Sequence, residues 1–333
     1  MVHSFEKTLN ELKSRLSPVY VTAPMPKEYT SAELSDALKK KLTNEEYQLV
    51  INPLASTPEM DRWARELTAG ATNDLQKASF LFDKLTRHID SSKITSSRTA
   101  MEVFEDWQKP EQRFVCKEYA NIYVSLARAV GLKAFWVYVF EEVDGQKEQH
   151  ACAGVYIGDR CLLVDPASNW FGVPHRRFKV LDDIQTIAYH LSQHSPDVTV
   201  ARLACKLAPD SVIAQGNLFG QLAKNLDWSG ASEVMANVLK LDPESALAWG
   251  VRGEWALHEG KPDQALVNWQ KAVKMNSAQG RWYLNIAQIY IDQGNLKEAR
   301  ENIRSGLRCG LDEEDLIGAQ AAIAKINESI GSD

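Results

Sequence analysis

Apolar residues recur three or four positions apart over most of this chain, and the exception is one stretch near the middle where they run consecutively. Phe5, Leu9, Leu12 and Leu16 mark a short amphipathic helix that Ser17-Pro18 stops. Thr30 and Glu33 form a capping-box pair ahead of Leu34, Leu38 and Leu42, which predicts a second helix. Thr57-Pro58 supplies an N-cap and a first-turn proline for a helix running to Gly70. Leu75, Ala78, Phe82, Leu85 and Ile89 stripe the next helix. A polar stretch over 90–98 predicts a loop, Ala100 to Trp107 resumes the helical pattern, and Pro110 ends it.

The pattern changes at Cys116. Tyr119, Ile122, Leu126 and Val130 predict a helix that Cys116 opens, with Gly131 placed just past its end. Lys133 to Glu142 is continuously aromatic and β-branched, the mark of a strand covered on both faces. Asp144-Gly145 signals a turn. His150 to Ile157 and Arg160 to Asp165 then form a hairpin around Gly158-Asp159.

The last third repeats. Ala231, Ala265 and Ala299 are 34 apart, as are Met235, Trp269 and Ile303, and Val238, Ala272 and Gly306. That period resembles the tetratricopeptide repeat (TPR). Trp249, Gly253, Gly260, Ala265, Trp269 and Ala272 fall on or near its signature places in one repeat, and Tyr283, Ala287, Tyr290, Gly294 and Ala299 do so in the next. Gly306 departs from it, since alanine is usual there. The resemblance implies repeats at about 212–245, 246–279 and 280–313 with a polar cap helix, forming a right-handed α-solenoid. Its concave face is the expected site for a protein partner, and Trp249, Trp255, Trp269 and Trp282 are read as inter-helix core.

Composition changes this picture little. At 333 residues the chain exceeds one ordinary core, and 44% apolar with 25% charged residues is globular. A formal charge of -6 without a basic run argues against nucleic acid as a partner. No apolar run is long enough to span a bilayer. The sequence therefore reads as soluble: cytoplasmic as it stands, periplasmic or extracellular if a leader has been removed. Five separated cysteines, an odd number, fit reduced thiols rather than a disulfide framework.

Cysteine chemistry requires a thiolate, and a helix N-terminus at Cys116 favours one. An imidazole must take the thiol proton and a carboxylate must orient that ring, roles for which His150 and Asp165 are the candidates. With Gly158-Asp159 as a two-residue loop, Asp165 stands opposite Cys152 and diagonal to His150, roughly 7–8 Å away and on the same sheet face. Cys161 is counted onto the opposite face, so a metal set of His150, Cys152 and Cys161 is set aside. No metal or cofactor is expected, and both extra cysteines are read as packing.

Phe114 to Ala120, Leu126 to Gly131, His150-Ala-Cys-Ala-Gly-Val155 and Leu163-Val-Asp165-Pro166 together resemble the transglutaminase-like core of the papain superfamily, over about 57–195. Cys152 departs from it, because members commonly carry tryptophan after His-Ala. The resemblance implies an α+β core with an antiparallel sheet and a Cys-His-Asp triad that attacks amides. The divisions expected are a helical leader at 1–56, the catalytic domain at 57–200 and helical repeats at 201–333. Trp107 and Gln112 are candidates for an oxyanion donor beside the Cys116 N–H, and Trp170 and Cys152 for the substrate cleft. Ser168, Asn169, Phe171 and His175 share the Trp170 loop. The function implied is a thiol peptidase or amidase acting on a protein or peptide, with hydrolysis favoured over transfer. The alternative is a catalytically silent scaffold that works through its repeats.

Overall fold

The computed structural model describes residues 18–86, 97–107, 109, 112–146, 150–195, 197–243, 245–277, 279–311 and 313–330. Two compact units, Met1–Pro209 and Asp210–Asp333, divide the chain. The expected helix over Phe5 to Leu16, the Ile89 end of the apolar stripe and the Pro110 stop lie outside the described residues.

Side-chain caps start the helices of the first unit. In α1 (Ser31–Lys41), the Thr30 hydroxyl accepts the Glu33 N–H at 3.2 Å and the Glu33 carboxylate accepts the Thr30 N–H at 2.9 Å, so two otherwise orphaned donors are satisfied. Thr43 repeats the device for α2 (Asn44–Gln48). α3 (Pro58–Leu67) opens at Thr57 and ends before the expected Gly70, where Thr68 bonds back to the Ala64 carbonyl at 2.9 Å. α4 (Asp74–Leu85) buries Ala78, Leu81, Phe82 and Leu85, and α5 (Ala100–Asp106) follows. α6 (Cys116–Ala129) is buried continuously from Glu118 to Ala127, on every side rather than along one stripe. It is therefore the central helix of this unit. Gly131 ends it with φ +84, a conformation a Cβ would disfavour.

The strands are β1 (Tyr20–Val21), β2 (Lys133–Glu141), β3 (His150–Ile157), β4 (Arg160–Asp165), β5 (Trp170–Phe171) and β6 (Arg177–Val180). All their pairings are antiparallel, in the order β1-β4-β3-β2-β6, with β5 on β4. The hairpin has the expected register, with Tyr156 opposite Cys161 and Ala153 opposite Val164. Directly paired residues share a face. Cys161 is thus on the same face as Cys152 and His150, which corrects the expectation that it lay opposite. That face is apolar: Phe135, Val137, Val139, Cys152, Cys161 and Leu163 pack in one cluster. On the other face, Trp136 and Tyr138 meet Tyr189 of α7 (Asp183–His194) at centroid distances of 4.5 and 5.7 Å. α8 (Val198–Leu207) packs on α7 and completes the unit.

The second unit is a run of antiparallel helix pairs: α9 (Val212–Lys224) with α10 (Trp228–Leu241), α11 (Ala246–His258) with α12 (Pro262–Met275), and α13 (Gly280–Asp292) with α14 (Leu296–Arg308). α15 (Glu313–Ile330) packs on the last pair. Ala231, Ala265 and Ala299, spaced by the repeat, are all fully buried at equivalent places. The Gly306 departure has a packing reason, because a Cβ there would stand 3.0 Å from the Gly280 carbonyl oxygen. Trp269 and Trp282 are core, whereas Trp249 and Trp255 are half-buried. No helix among the described residues is long and apolar enough to cross a membrane.

Candidate active site

Cys116, half-buried, is the first residue of α6, where the leading N–H groups have no intrahelical acceptor and the positive end of the helix dipole lies. Val115, the N-cap, has no side chain that could cap, and the Glu118 carboxylate accepts the Val115 N–H at 3.0 Å instead. Glu118 is fully buried and is clasped by Arg98, whose Nε donates at 2.9 Å to one carboxylate oxygen and whose Nη2 donates at 3.2 Å to the other. The same guanidinium donates to Asp106 at 2.7 Å, to Gln112 Oε1 at 2.9 Å and to the Arg113 carbonyl. Asn121, one turn on in α6, donates to the Arg98 carbonyl at 2.9 Å. One arginine thus ties the segment before the thiol to the first turn that carries it. Sequence reasoning missed this brace, although an acidic residue in the first turn of the Cys116 helix was a visible signal.

β3 begins at His150 and β4 ends at Asp165, so the antiparallel pairing brings both to one end of the sheet. His150 Nε2 lies 2.7 Å from Asp165 Oδ2, and Asp165 Oδ1 accepts the Ser168 N–H at 3.2 Å. Asp165 is fully buried, and the His150 side chain is 11% exposed. Burial disfavours the imidazolium, but the Asp165 charge and hydrogen bond, and then a hydrogen bond and charge from Cys116, outweigh it and hold His150 far above the usual histidine range. Burial likewise works against the Asp165 carboxylate, yet His150 wins there too and keeps Asp165 below its ordinary value. The other ring nitrogen, Nδ1, stands 3.9 Å from Glu142 Oε1. The structure therefore brings the imidazole and the carboxylate together, with Cys116 acting on the ring through its charge. Lys117, half-buried next in sequence, is depressed by its own desolvation, while the Cys116 charge acts to raise it.

The remaining candidates have other surroundings. Trp107 is 1% exposed, stacked on Phe114 at 5.3 Å and edge-on to Tyr119 at 6.2 Å. Gln112 gives its side-chain oxygen to Arg98 and its backbone N–H to the Lys109 carbonyl at 3.1 Å. Trp170 pairs with Asp165 across β4 and β5 and is half-buried beside the site. Cys152 is sealed in the sheet core, and burial pushes its thiol well above the usual range. Burial raises Cys161 and Cys205 to about 12 each and Cys309 in the same direction.

Among solved structures, the chain is similar to a crystal structure of MamA at 17% identity, with a TM-score of 0.32 over 38% of this chain and 76% of that one. A MamA fragment, 41-end, from Desulfovibrio magneticus RS-1 is 19% identical, with a TM-score of 0.31 over 38% of this chain and 73% of that one. TTC0263, a thermophilic TPR protein in Thermus thermophilus, is 16% identical, with a TM-score of 0.35 over 43% of this chain and 80% of that one. No curated protein matches the chain. Residues 61–171 match the core of the transglutaminase-like superfamily and residues 256–323 match a tetratricopeptide repeat, in that order, so the chain carries a transglutaminase-like domain followed by TPR structure.

Proposed function

We propose that the first unit is a thiol amidase acting on peptide or isopeptide bonds, with Cys116 as nucleophile, His150 as proton carrier and Asp165 as the group that aims the ring. The observation that carries this reading is the His150–Asp165 pair, Nε2 to Oδ2 at 2.7 Å, together with Cys116 at the first position of a helix whose N-terminus favours a thiolate. A thiol that gives its proton to His150 becomes the attacking thiolate, and the imidazolium it creates is the species that Asp165 stabilises. Attack on an amide carbon forms a tetrahedral oxyanion against the Cys116 N–H, with Trp107 or Gln112 as the second donor. Return of the His150 proton to the amine releases it and leaves a thioester, which water resolves. Hydrolysis is the outcome we assign, and transfer would require an acceptor amine in place of that water.

The helical repeats supply the protein-binding half of this reading. Lys271 Nζ stands 4.2 Å and the Arg252 guanidinium 5.4 Å from the Trp249 ring centroid, and these residues line an open groove of about 530 Å³ with Asp263, Gln264 and Asn268. A partner segment bearing carboxylates matches those cations.

Site-resolved alkylation with iodoacetamide at neutral pH tests the enzyme reading. Cys116 is expected to react first, because burial raises the other four thiols. The selectivity is expected to disappear in His150→Ala. Slow, uniform labelling of all five cysteines would instead support the silent scaffold. Screening a peptide library for new termini and for ammonia then separates peptide hydrolysis from side-chain deamidation.

A further inference from the structure

His175 lies in the loop between β5 and β6 and takes no part in the proposed thiol chemistry. It is only 3% exposed, yet neither ring nitrogen has a hydrogen-bond partner among the described residues. Leaving a buried polar group in that condition is unfavourable, so an imidazole held this way points to a ligand. Its ring centroid is 5.9 Å from that of His150 and 6.0 Å from that of Trp170. One nitrogen of His175, one of His150 and one oxygen of Asp165 all lie within 4.8 Å of one another.

Two imidazoles and a carboxylate are the donor set of a zinc-class ion, which takes nitrogen and oxygen ligands at about 2.0–2.2 Å. Donors on one tetrahedral ion stand about 3.4 Å apart. The His150–Asp165 pair, now at 2.7 Å, would open by under about 1 Å, and His175 would swing in by up to about 1.4 Å. β3, β4 and the loop after β5 hold the three groups from different elements.

We propose that His150, Asp165 and His175 form a site for one zinc-class divalent cation whose binding silences the thiol. The ion takes the His150 Nε2 lone pair and the Asp165 oxygen, so their hydrogen bond is lost and the Nε2 proton leaves to solvent. From the thiolate–imidazolium pair this leaves a neutral ring with its one proton on Nδ1; the sulfur, no longer facing an imidazolium, takes a proton from solvent, and Nδ1 cannot accept it back. The silencing half rests on the thiol-amidase reading, whereas the binding half does not.

Chelator-stripped full-length protein titrated with Co2+ tests the binding half by visible absorption. One ion per chain is expected, with a nitrogen- and oxygen-type spectrum lacking a thiolate charge-transfer band, and with Zn2+ displacing it. His175→Ala and the size-preserving His175→Gln are each expected to weaken binding at least tenfold. In the wild-type protein, where folding of a variant is not at issue, proton NMR of the Co2+ form should show two paramagnetically shifted imidazole N–H signals. A thiolate band, the absence of shifted imidazole signals, or undiminished affinity in folded His175→Gln would overturn the site. Zn2+ should also slow Cys116 alkylation at least tenfold, and an unchanged rate with Zn2+ bound would overturn the silencing. Unselective labelling of the metal-free protein would sink the amidase reading and leave cation binding standing.

Discussion

Asp165 stands at the end of β4 with its Oδ2 2.7 Å from Nε2 of His150 at the start of the preceding strand, β3, inside a region closed to solvent on the carboxylate side. Asp165→Asn keeps the size and removes the charge that sustains the imidazolium. Turnover on any substrate found by library screening should drop about 10²–10⁴-fold, mainly in kcat. Asp165→Ala should also cost about 3–5 kcal/mol in urea melts, because a buried charged partner is left alone. Full activity in either variant would remove Asp165 from the mechanism.

Arg98 and Glu118 form the brace beneath the thiol. Arg98→Ala leaves the buried Glu118 carboxylate without its guanidinium and should destabilise the first unit by about 3–5 kcal/mol. Alkylation of Cys116 under conditions where the variant is still folded should slow, since the first turn of α6 is held by that pair. If the melt shifts but the rate does not, the brace acts on stability alone.

His190 in α7 provides a pH signature separate from the site. It is 3% exposed, and burial, reinforced by His194 and Lys117 and opposed by Glu102, pushes it down to about 4 from the ordinary histidine value of 6.5. Between those values the unfolded chain binds the extra proton, so stability falls as the pH drops from 6.5 toward 4 and levels off below. The loss should approach about 3 kcal/mol, read from urea melts across that range. His190→Phe should make this acid limb shallower by about that amount, the remainder falling to His175, which burial also pushes down to about 4, and a limb of unchanged depth would show that His190 does not contribute.

Gly253 in the repeats is set against Trp269, whose ring would lie 2.4 Å from an added Cβ and whose Nε1 donates to the Gly250 carbonyl at 3.0 Å. Gly253→Ala should overpack the α11–α12 contact by about 1–3 kcal/mol despite the better helix propensity of alanine. Trp269→Phe, which removes the donor, should cost about 1 kcal/mol through the lost hydrogen bond, the carbonyl keeping its place in the helix ladder. A stabilised Gly253→Ala would mean that the ring yields without strain.

The local rules were legible wherever one residue type has one physical use. Thr30 with Glu33 and Thr57 with Pro58 read as helix starts because capping is a contact between near neighbours. Gly158-Asp159 set the hairpin register, and with it the shared face of His150 and Asp165. The error over Cys161 was one of counting, since the same register places it beside Cys152. β1, β5 and β6 escaped notice because strands of two to four residues show no alternation and exist only through their partners. The place of Gly306 became intelligible only when Gly280 was seen against it.

By itself the amino-acid order determined where helices begin, which strands form the hairpin, the period of the repeats and the candidates for the proposed thiol chemistry, because periodicity, capping and turn geometry act over a few residues. Only the tertiary structure decided that Arg98 reaches Glu118 from twenty positions away, that Cys152 is sealed in the core and that His175 comes within reach of His150 and Asp165. Those outcomes follow from burial and from contacts between distant segments, which exist only once the sheet and α6 have packed.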